Sequence, residues 1–107
     1  MALVVASLSV EVIAAIRPLV ARIKRHDRSL ADQLVRAASS VALNIAEAEY
    51  SDPGNRRARF FTAAGSANES LTALRVAVAW GYFAEGEAEA AEALLRRVLA
   101  MLWRLTR

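Results

Sequence analysis

Between residues 30 and 80 the sequence has one strong interruption, the stretch SDPGN at residues 51–55. On both sides of it, apolar residues recur every three or four positions, which is the spacing of one face of an α-helix. Ser51 or Asp52 can cap a new helix, and Pro53 suits its first turn. Long helices joined by so short a turn run antiparallel. The centre of the chain is therefore predicted to be a helical hairpin.

The same periodicity continues towards both ends of the chain and predicts one further helix on each side. The four helices are predicted at about residues 3–24, 30–50, 55–80 and 85–105. Pro18 lies inside the first helix, where its missing backbone donor predicts a kink. Gly81 suits the left-handed residue that follows the end of a helix. We predict one all-α domain over residues 1–107, an antiparallel up-down-up-down four-helix bundle.

Composition agrees with an all-α chain and restricts its chemistry. Of the 107 residues, 56% are hydrophobic and only 7% aromatic, with four glycines and two prolines, too few for a fold rich in tight turns. There is no cysteine, which excludes disulfides and thiol catalysis. A chain of this length buries a modest core, so association with other copies would help to stabilise it.

The apolar beginning of the chain, MALVVASLSVEVIAAI, resembles neither a signal peptide nor a membrane span. It has no basic segment before the apolar run, and Glu11 interrupts that run early. No stretch without charges approaches the roughly 20 residues that a spanning helix needs. We therefore expect a cytoplasmic protein without a membrane partner.

The sequence offers little material for catalysis. Its one histidine, His26, lies in a charged connection, and its glycines do not form a phosphate-binding loop. Helices one and four lack the inward glutamates and histidines of a di-metal bundle. We expect no enzymatic activity, cofactor or metal. A carboxylate-metal site made of Glu47, Glu49 and Glu69 is an alternative hypothesis that the absence of bound metal from purified protein would remove.

The predicted hairpin carries polar side chains on otherwise apolar faces: Arg36, Ser40, Asn44, Glu47 and Glu69. In an antiparallel register about the SDPGN turn, Arg36 lies level with Glu69, and Glu47 lies level with Arg57. Asn44 falls on the main apolar stripe of its helix. These residues either fix the register of the hairpin, because an unpaired buried polar group is costly, or line a groove between subunits.

Two clusters of basic residues are the candidate binding sites for a partner. Arg56, Arg57 and Arg59 open the third helix, where positive charge opposes the helix dipole and is locally unfavourable. A second cluster lies where helix one ends and helix two begins, at the opposite pole of the bundle: Arg22, Lys24, Arg25 and Arg28. The chain carries a net charge of +3. Either cluster can contact nucleic-acid phosphates or simply be a solvated surface.

Several of these residues occur together in a known family. Residues 33–83 resemble the four-helix-bundle proteins encoded by intervening sequences of bacterial 23S rRNA genes, a family that includes the accessory variability protein of diversity-generating retroelements. The matching elements are Arg36-Ala37 with Ser40, Asn44-Ile45-Ala46-Glu47, Gly65-Ser66 with Glu69, and Gly81-Tyr82. The chain departs from the family pattern at Ala42, where proline is common, and at Ala48, where glycine is common.

The resemblance implies a homopentamer of four-helix bundles without catalytic activity. It also implies a role in binding RNA or DNA, or a nucleic-acid enzyme such as a reverse transcriptase. Our first hypothesis is therefore an oligomeric bundle protein that binds RNA, or a partner that handles nucleic acid, through its arginines. The alternative is a protein–protein adaptor or scaffold with no role in nucleic-acid binding.

Overall fold

The computed structural model describes the backbone of residues 2–107 and the side chains of residues 4–107. The chain forms four helices: α1 (Ala2–Lys24), α2 (Arg28–Glu49), α3 (Pro53–Trp80) and α4 (Glu85–Leu105). Residues 2–107 contain no β-strand. The four predicted segments are therefore all present, and α1 continues through Pro18 as one helix.

Each helix packs against its neighbours in chain order, and α4 returns to pack against α1. The four helices thus close into a bundle that measures 42 × 22 × 19 Å. This arrangement confirms the predicted antiparallel four-helix bundle. It also places the α1–α2 and α3–α4 connections at one pole, and the α2–α3 turn, the start of α1 and the end of α4 at the other.

The core consists of the apolar stripe of each helix, as the periodicity predicts. Its larger members are fully or almost fully buried: Val5, Val12, Ile16, Ile23, Leu34, Val41, Ile45, Phe60, Leu74, Leu95, Val98 and Leu102. Alanines occupy many of the remaining core positions, especially on α3. Small side chains at these positions let neighbouring helix backbones approach one another.

Side chains and backbone geometry end the helices where the sequence indicates, with one exception. Asp52 caps α3 by accepting a hydrogen bond from the backbone N–H of Asn55 at 3.0 Å. This bond and a second from the Asn55 side chain hold the pKa of the Asp52 carboxyl below its ordinary value. Gly81 adopts the left-handed conformation, with φ of 81°. The cap of α2 is Asp27, so that helix begins at Arg28, two residues before the predicted start at residue 30.

Helix α1 is the one described helix that is long and apolar enough to cross a membrane on length and composition alone. In the bundle its apolar stripe packs into the core, with Val5, Val12, Ile16 and Ile23 at 2% exposure or less. Its other face carries charged residues such as Glu11 and Arg17 in exposed positions. These features describe the core helix of a bundle.

Candidate nucleic-acid interface

One end of the bundle collects arginines from two helices. Helix α3 begins and helix α4 ends at this end, and together they contribute the residues that we call the arginine pole: Arg56, Arg57, Arg59, Arg104 and Arg107. All five are exposed. The last two were not among the predicted binding residues. The antiparallel topology could have located them, because the end of helix four must lie beside the start of helix three.

Arg57 connects the beginning of α3 to the end of α4. Its Nε donates a hydrogen bond of 2.9 Å to the backbone carbonyl of Thr106, just past the last turn of α4. Its guanidinium carbon lies 5.3 Å from the centroid of the Phe61 ring. A cation is unfavourable at the N-terminus of its own helix but favourable at the C-terminus of a neighbouring one. Tertiary structure therefore supplies a structural reason for Arg57.

Arg59 connects α3 to α2. Its Nη1 lies 2.9 Å from an oxygen of Glu47 in the last turn of α2. The prediction that Glu47 faces Arg57 is therefore wrong, because Arg57 points to the opposite neighbour, α4. Helix positions three or four apart share a face, whereas positions two apart do not. An error of two positions in the predicted register was thus enough to select the wrong arginine.

Exposed aromatic rings lie among these arginines. Trp103 is 62% exposed, Phe61 is 47% exposed and Tyr50 is 94% exposed. The guanidinium carbon of Arg107 lies 3.1 Å from the centroid of the Trp103 ring. Arginine placed over an aromatic face is held by a cation–π attraction. The pole therefore combines positive charge with flat apolar rings that are open to solvent.

The predicted second basic cluster lies at the opposite end, with acids of α4 nearby. We call this end the mixed pole, and it comprises Arg22, Lys24, Arg25 and Arg28 together with Glu85, Glu87 and Glu89. Arg22 forms a salt bridge with Glu87. The bases of the α1–α2 connection are close together in the sequence, whereas the acids of α4 come beside them only through the topology. The four bases of the mixed pole are balanced by these three acids and Asp27, whereas the five arginines of the arginine pole outnumber the three acids beside them, Glu47, Glu49 and Asp52.

Tyr82, in the α3–α4 connection, packs against the α1–α2 connection at the mixed pole. Its ring stacks on His26 with centroids 4.9 Å apart and planes 2° from parallel. Its hydroxyl donates a hydrogen bond of 3.2 Å to Asp27. Desolvation of the hydroxyl and the nearby Asp27 carboxylate raise the pKa of Tyr82. The Gly-Tyr pair of the resemblance thus has a structural task, because it joins the α3–α4 connection to the start of α2.

The polar residues of the hairpin form a row between α2 and α3. The hydroxyls of Ser40 and Ser66 are 2.8 Å apart. The amide nitrogen of Asn44 donates to the backbone carbonyl of Ser40 at 2.9 Å and to its hydroxyl at 3.0 Å. Asn44 is half-buried at the edge of the core, whereas the sequence placed it on the core stripe. The contact between helices is made by Ser40, and Asn44 supports it from within α2.

Arg36 and Glu69 do not form the predicted pair. Both are exposed, and the ion pairs found among residues 4–107 do not include them. Arg36 instead lines a shallow groove of about 430 Å³ along α2, together with Ser40, Asn44, Glu47 and Arg59. The described side chains include no group of three or more histidines and carboxylates placed to hold a metal ion.

A second groove, between α1 and α2, is almost entirely apolar. It has a volume of about 370 Å³, and its apolar lining includes Val10, Ile13, Ala14, Val20, Val35 and Ala38. Val10 and Val35 are 60% and 45% exposed, and Leu43 is exposed further along α2. An apolar surface of this kind on a soluble bundle is typical of a contact with another protein chain.

Comparison with known proteins agrees with the architecture. The family described as 23S rRNA-intervening sequence protein matches residues 1–104. A crystal structure of a protein of unknown function from the S23 ribosomal protein family of Bacteroides thetaiotaomicron is similar in fold, with a TM-score of 0.88 at 20% identity. The similarity covers 96% of this chain and 98% of that one. No protein with a curated description matches the chain. Because this family matches nearly the whole length of the chain, the chain belongs to the 23S rRNA-intervening sequence proteins.

Proposed function

We propose that this protein is a non-enzymatic, oligomeric bundle protein of the cytoplasm that binds RNA through the arginine pole. The observation that carries the proposal is the gathering of five exposed arginines at one end of the bundle. Phosphate contacts from arginine are the main source of affinity for nucleic acid and need no sequence specificity. The family name, which refers to an rRNA gene, is consistent with an RNA ligand.

The five arginines divide into two groups with different tasks. Arg57 and Arg59 are bound to Thr106 and Glu47 and hold the ends of three helices together. The side chains of Arg56, Arg104 and Arg107 make no hydrogen bond or ion pair among the described residues, although Arg56 lies 5.5 Å from the Phe60 ring and Arg107 lies 3.1 Å from the Trp103 ring. We assign the phosphate contacts mainly to this second group. The mixed pole, where acids balance the bases, is a weaker candidate.

Oligomerisation is part of the proposal. The apolar groove between α1 and α2 provides a surface for a neighbouring copy, and the resemblance indicates a homopentamer. A closed ring would place the arginine poles of all subunits on one rim. Repeated weak phosphate contacts on one RNA strand would then add through effective concentration.

The test measures binding of the native protein to RNA across a series of salt concentrations. Each phosphate contact to a single strand contributes about 0.7 to the slope of log K against log salt concentration. Replacing Arg56 and Arg104 by alanine should weaken binding and reduce that slope by up to about 1.4 per subunit engaged. The matched control replaces Arg75 and Arg97, which are exposed and lie outside the arginine pole, and should leave the slope unchanged.

Equal slopes for the two double variants would show that the arginine pole does not contact RNA.

A second candidate function, a protein–protein adaptor, is favoured by the exposed Val10, Val35 and Leu43. It predicts no salt-dependent binding to any nucleic acid. A reverse transcriptase or another protein that handles nucleic acid is the partner that the resemblance indicates for such an adaptor.

A further inference from the structure

We propose that the arginine pole selects single-stranded over double-stranded RNA by stacking bases on Trp103 and Phe61. The inference rests on the proposed function, since it concerns the same end of the bundle. It goes further in naming the form of RNA and the residues that recognise it. The rings, rather than the arginines, would make the distinction between the two forms.

The rings are held in place by a continuous set of contacts. Phe61 lies under the guanidinium of Arg57, and Arg57 is hydrogen-bonded to the carbonyl of Thr106. The Thr106 hydroxyl donates in turn to the carbonyl of Trp103 at 3.0 Å. Arg107 covers the Trp103 ring. These contacts therefore hold both rings near the C-terminal end of α4, and each ring has an arginine beside it.

The distribution of exposed aromatic residues is uneven. Side chains of residues 4–107 include four aromatic rings with large exposure: Tyr50, Phe61, Trp80 and Trp103. Three of the four lie at the arginine pole, and Trp80 lies at the end of α3 near the mixed pole. An exposed ring does not contribute the free energy that its burial would provide. The three rings at the arginine pole therefore add little to the stability of the bundle itself.

A base can use such a ring only when it is free to leave its own stack. In a double helix the bases are already stacked and paired, and a protein meets mainly phosphates and groove edges. In a single strand each base offers a flat face to an aromatic ring while the neighbouring phosphate reaches an arginine. At this pole an arginine lies beside each of Phe61 and Trp103, so a ring is available for the base and a guanidinium for the phosphate.

The first experiment compares affinities for an oligouridine of roughly 12 nucleotides and an RNA duplex of the same length. The native full-length protein should bind the single strand more tightly. Trp103→Leu should reduce single-strand affinity about 5- to 150-fold, the effect of losing one stacked base, and change duplex affinity little. Trp103→Phe should restore much of the loss because it keeps an aromatic face. Trp80→Leu removes a similarly exposed tryptophan from the other pole, at 70% against 62%, and should have no effect.

The second experiment uses tryptophan fluorescence, which reports on each pole separately. Trp80→Phe leaves Trp103 as the only tryptophan, and its emission should be quenched when oligouridine is added. Trp103→Phe leaves Trp80, whose emission should not change. Circular dichroism of each variant establishes that the helices are intact, so that a loss of binding is not a loss of folding.

The two proposals fail in different ways. If Trp103→Leu leaves single-strand affinity unchanged while Arg56→Ala with Arg104→Ala lowers it, stacking is excluded and RNA binding at the pole stands. Equal affinity for single strand and duplex excludes the selection. Emission from Trp103 that RNA does not alter also overturns the inference. Absence of binding to either RNA removes the proposed function and the inference together.

Discussion

Ser40 and Ser66 are the residues through which the polar row joins α2 to α3. Their hydroxyls are in contact, Asn44 donates to Ser40, and the Ser70 hydroxyl donates to the backbone carbonyl of Ser66 at 2.9 Å. The row has no buried side-chain polar atom without a partner among residues 4–107. A buried polar group is tolerated when it is paired and costly when it is not. The row therefore favours this register over neighbouring ones.

A double-mutant cycle measures that preference. Ser40→Ala and Ser66→Ala should each lower the free energy of unfolding by about 1 kcal/mol, since each leaves a partly buried hydroxyl without its partner. The double variant should lose less than the sum of the two, because the shared bond can be lost only once. Chemical denaturation of the four proteins gives the coupling energy. Strict additivity would mean that the contact contributes nothing to stability.

At the scale of the element, α3 is the longest helix, with 28 residues, and both of its ends are defined by local sequence. Asp52 and Pro53 begin it, and Gly81 ends it in the left-handed conformation. Gly65, in contrast, lies in the middle of the helix, is exposed, and has no atom within 4 Å of a Cβ built there. The two glycines differ in backbone conformation, so they should respond oppositely to the same substitution.

Gly81→Ala should destabilise the protein by about 1 kcal/mol, because a side chain at positive φ is strained although a Cβ there has open space. Gly65→Ala should stabilise it by about 0.5–1 kcal/mol, because alanine has the higher helix propensity. Thermal or denaturant unfolding checks both signs. If Gly65→Ala were destabilising instead, that position would be in close contact with something outside the single chain, such as a neighbouring subunit.

The sequence was sufficient to predict the helices but not their partners. Caps, breakers and apolar spacing are local signals, so α1 to α4 could be located to within two residues. The partners of Glu47, Arg36 and Arg57 depend on how the packed helices are rotated and staggered against each other. A shift of two residues in that register brings a different face of the helix to the contact. Arg104 and Arg107 were missed for a different reason, since their proximity to Arg57 follows only when topology is considered.

At the scale of the whole molecule, the bundle has an uneven surface. Arginines outnumber acids at one pole, bases and acids balance at the other, and the α1–α2 side is apolar. A chain of 107 residues has a modest core, so association with other copies would add to its stability. The apolar side and the arginine pole are different surfaces, so a neighbouring copy can occupy the first while the second stays accessible.

Val35→Glu should reduce the oligomer to smaller species, because it places a charge in the apolar groove. The matched control is Val76→Glu, since Val76 is similarly exposed, at 37% against 45%, but lies outside that groove. Analytical ultracentrifugation measures the masses as multiples of the 11.6 kDa chain. A pentamer should be seen for the native protein and the control. An unchanged mass for Val35→Glu would place the contact between subunits elsewhere.

The hydrogen bond from Arg57 to Thr106 has a practical consequence for how the protein is handled. It fixes the last residues of the chain beside the start of α3, and the antiparallel order of helices brings the start of α1 to the same end. Any added sequence, such as a purification tag at either terminus, would therefore emerge at the arginine pole. A histidine-rich or acidic tag there would alter the local charge and shield the rings. Binding measurements accordingly require untagged protein.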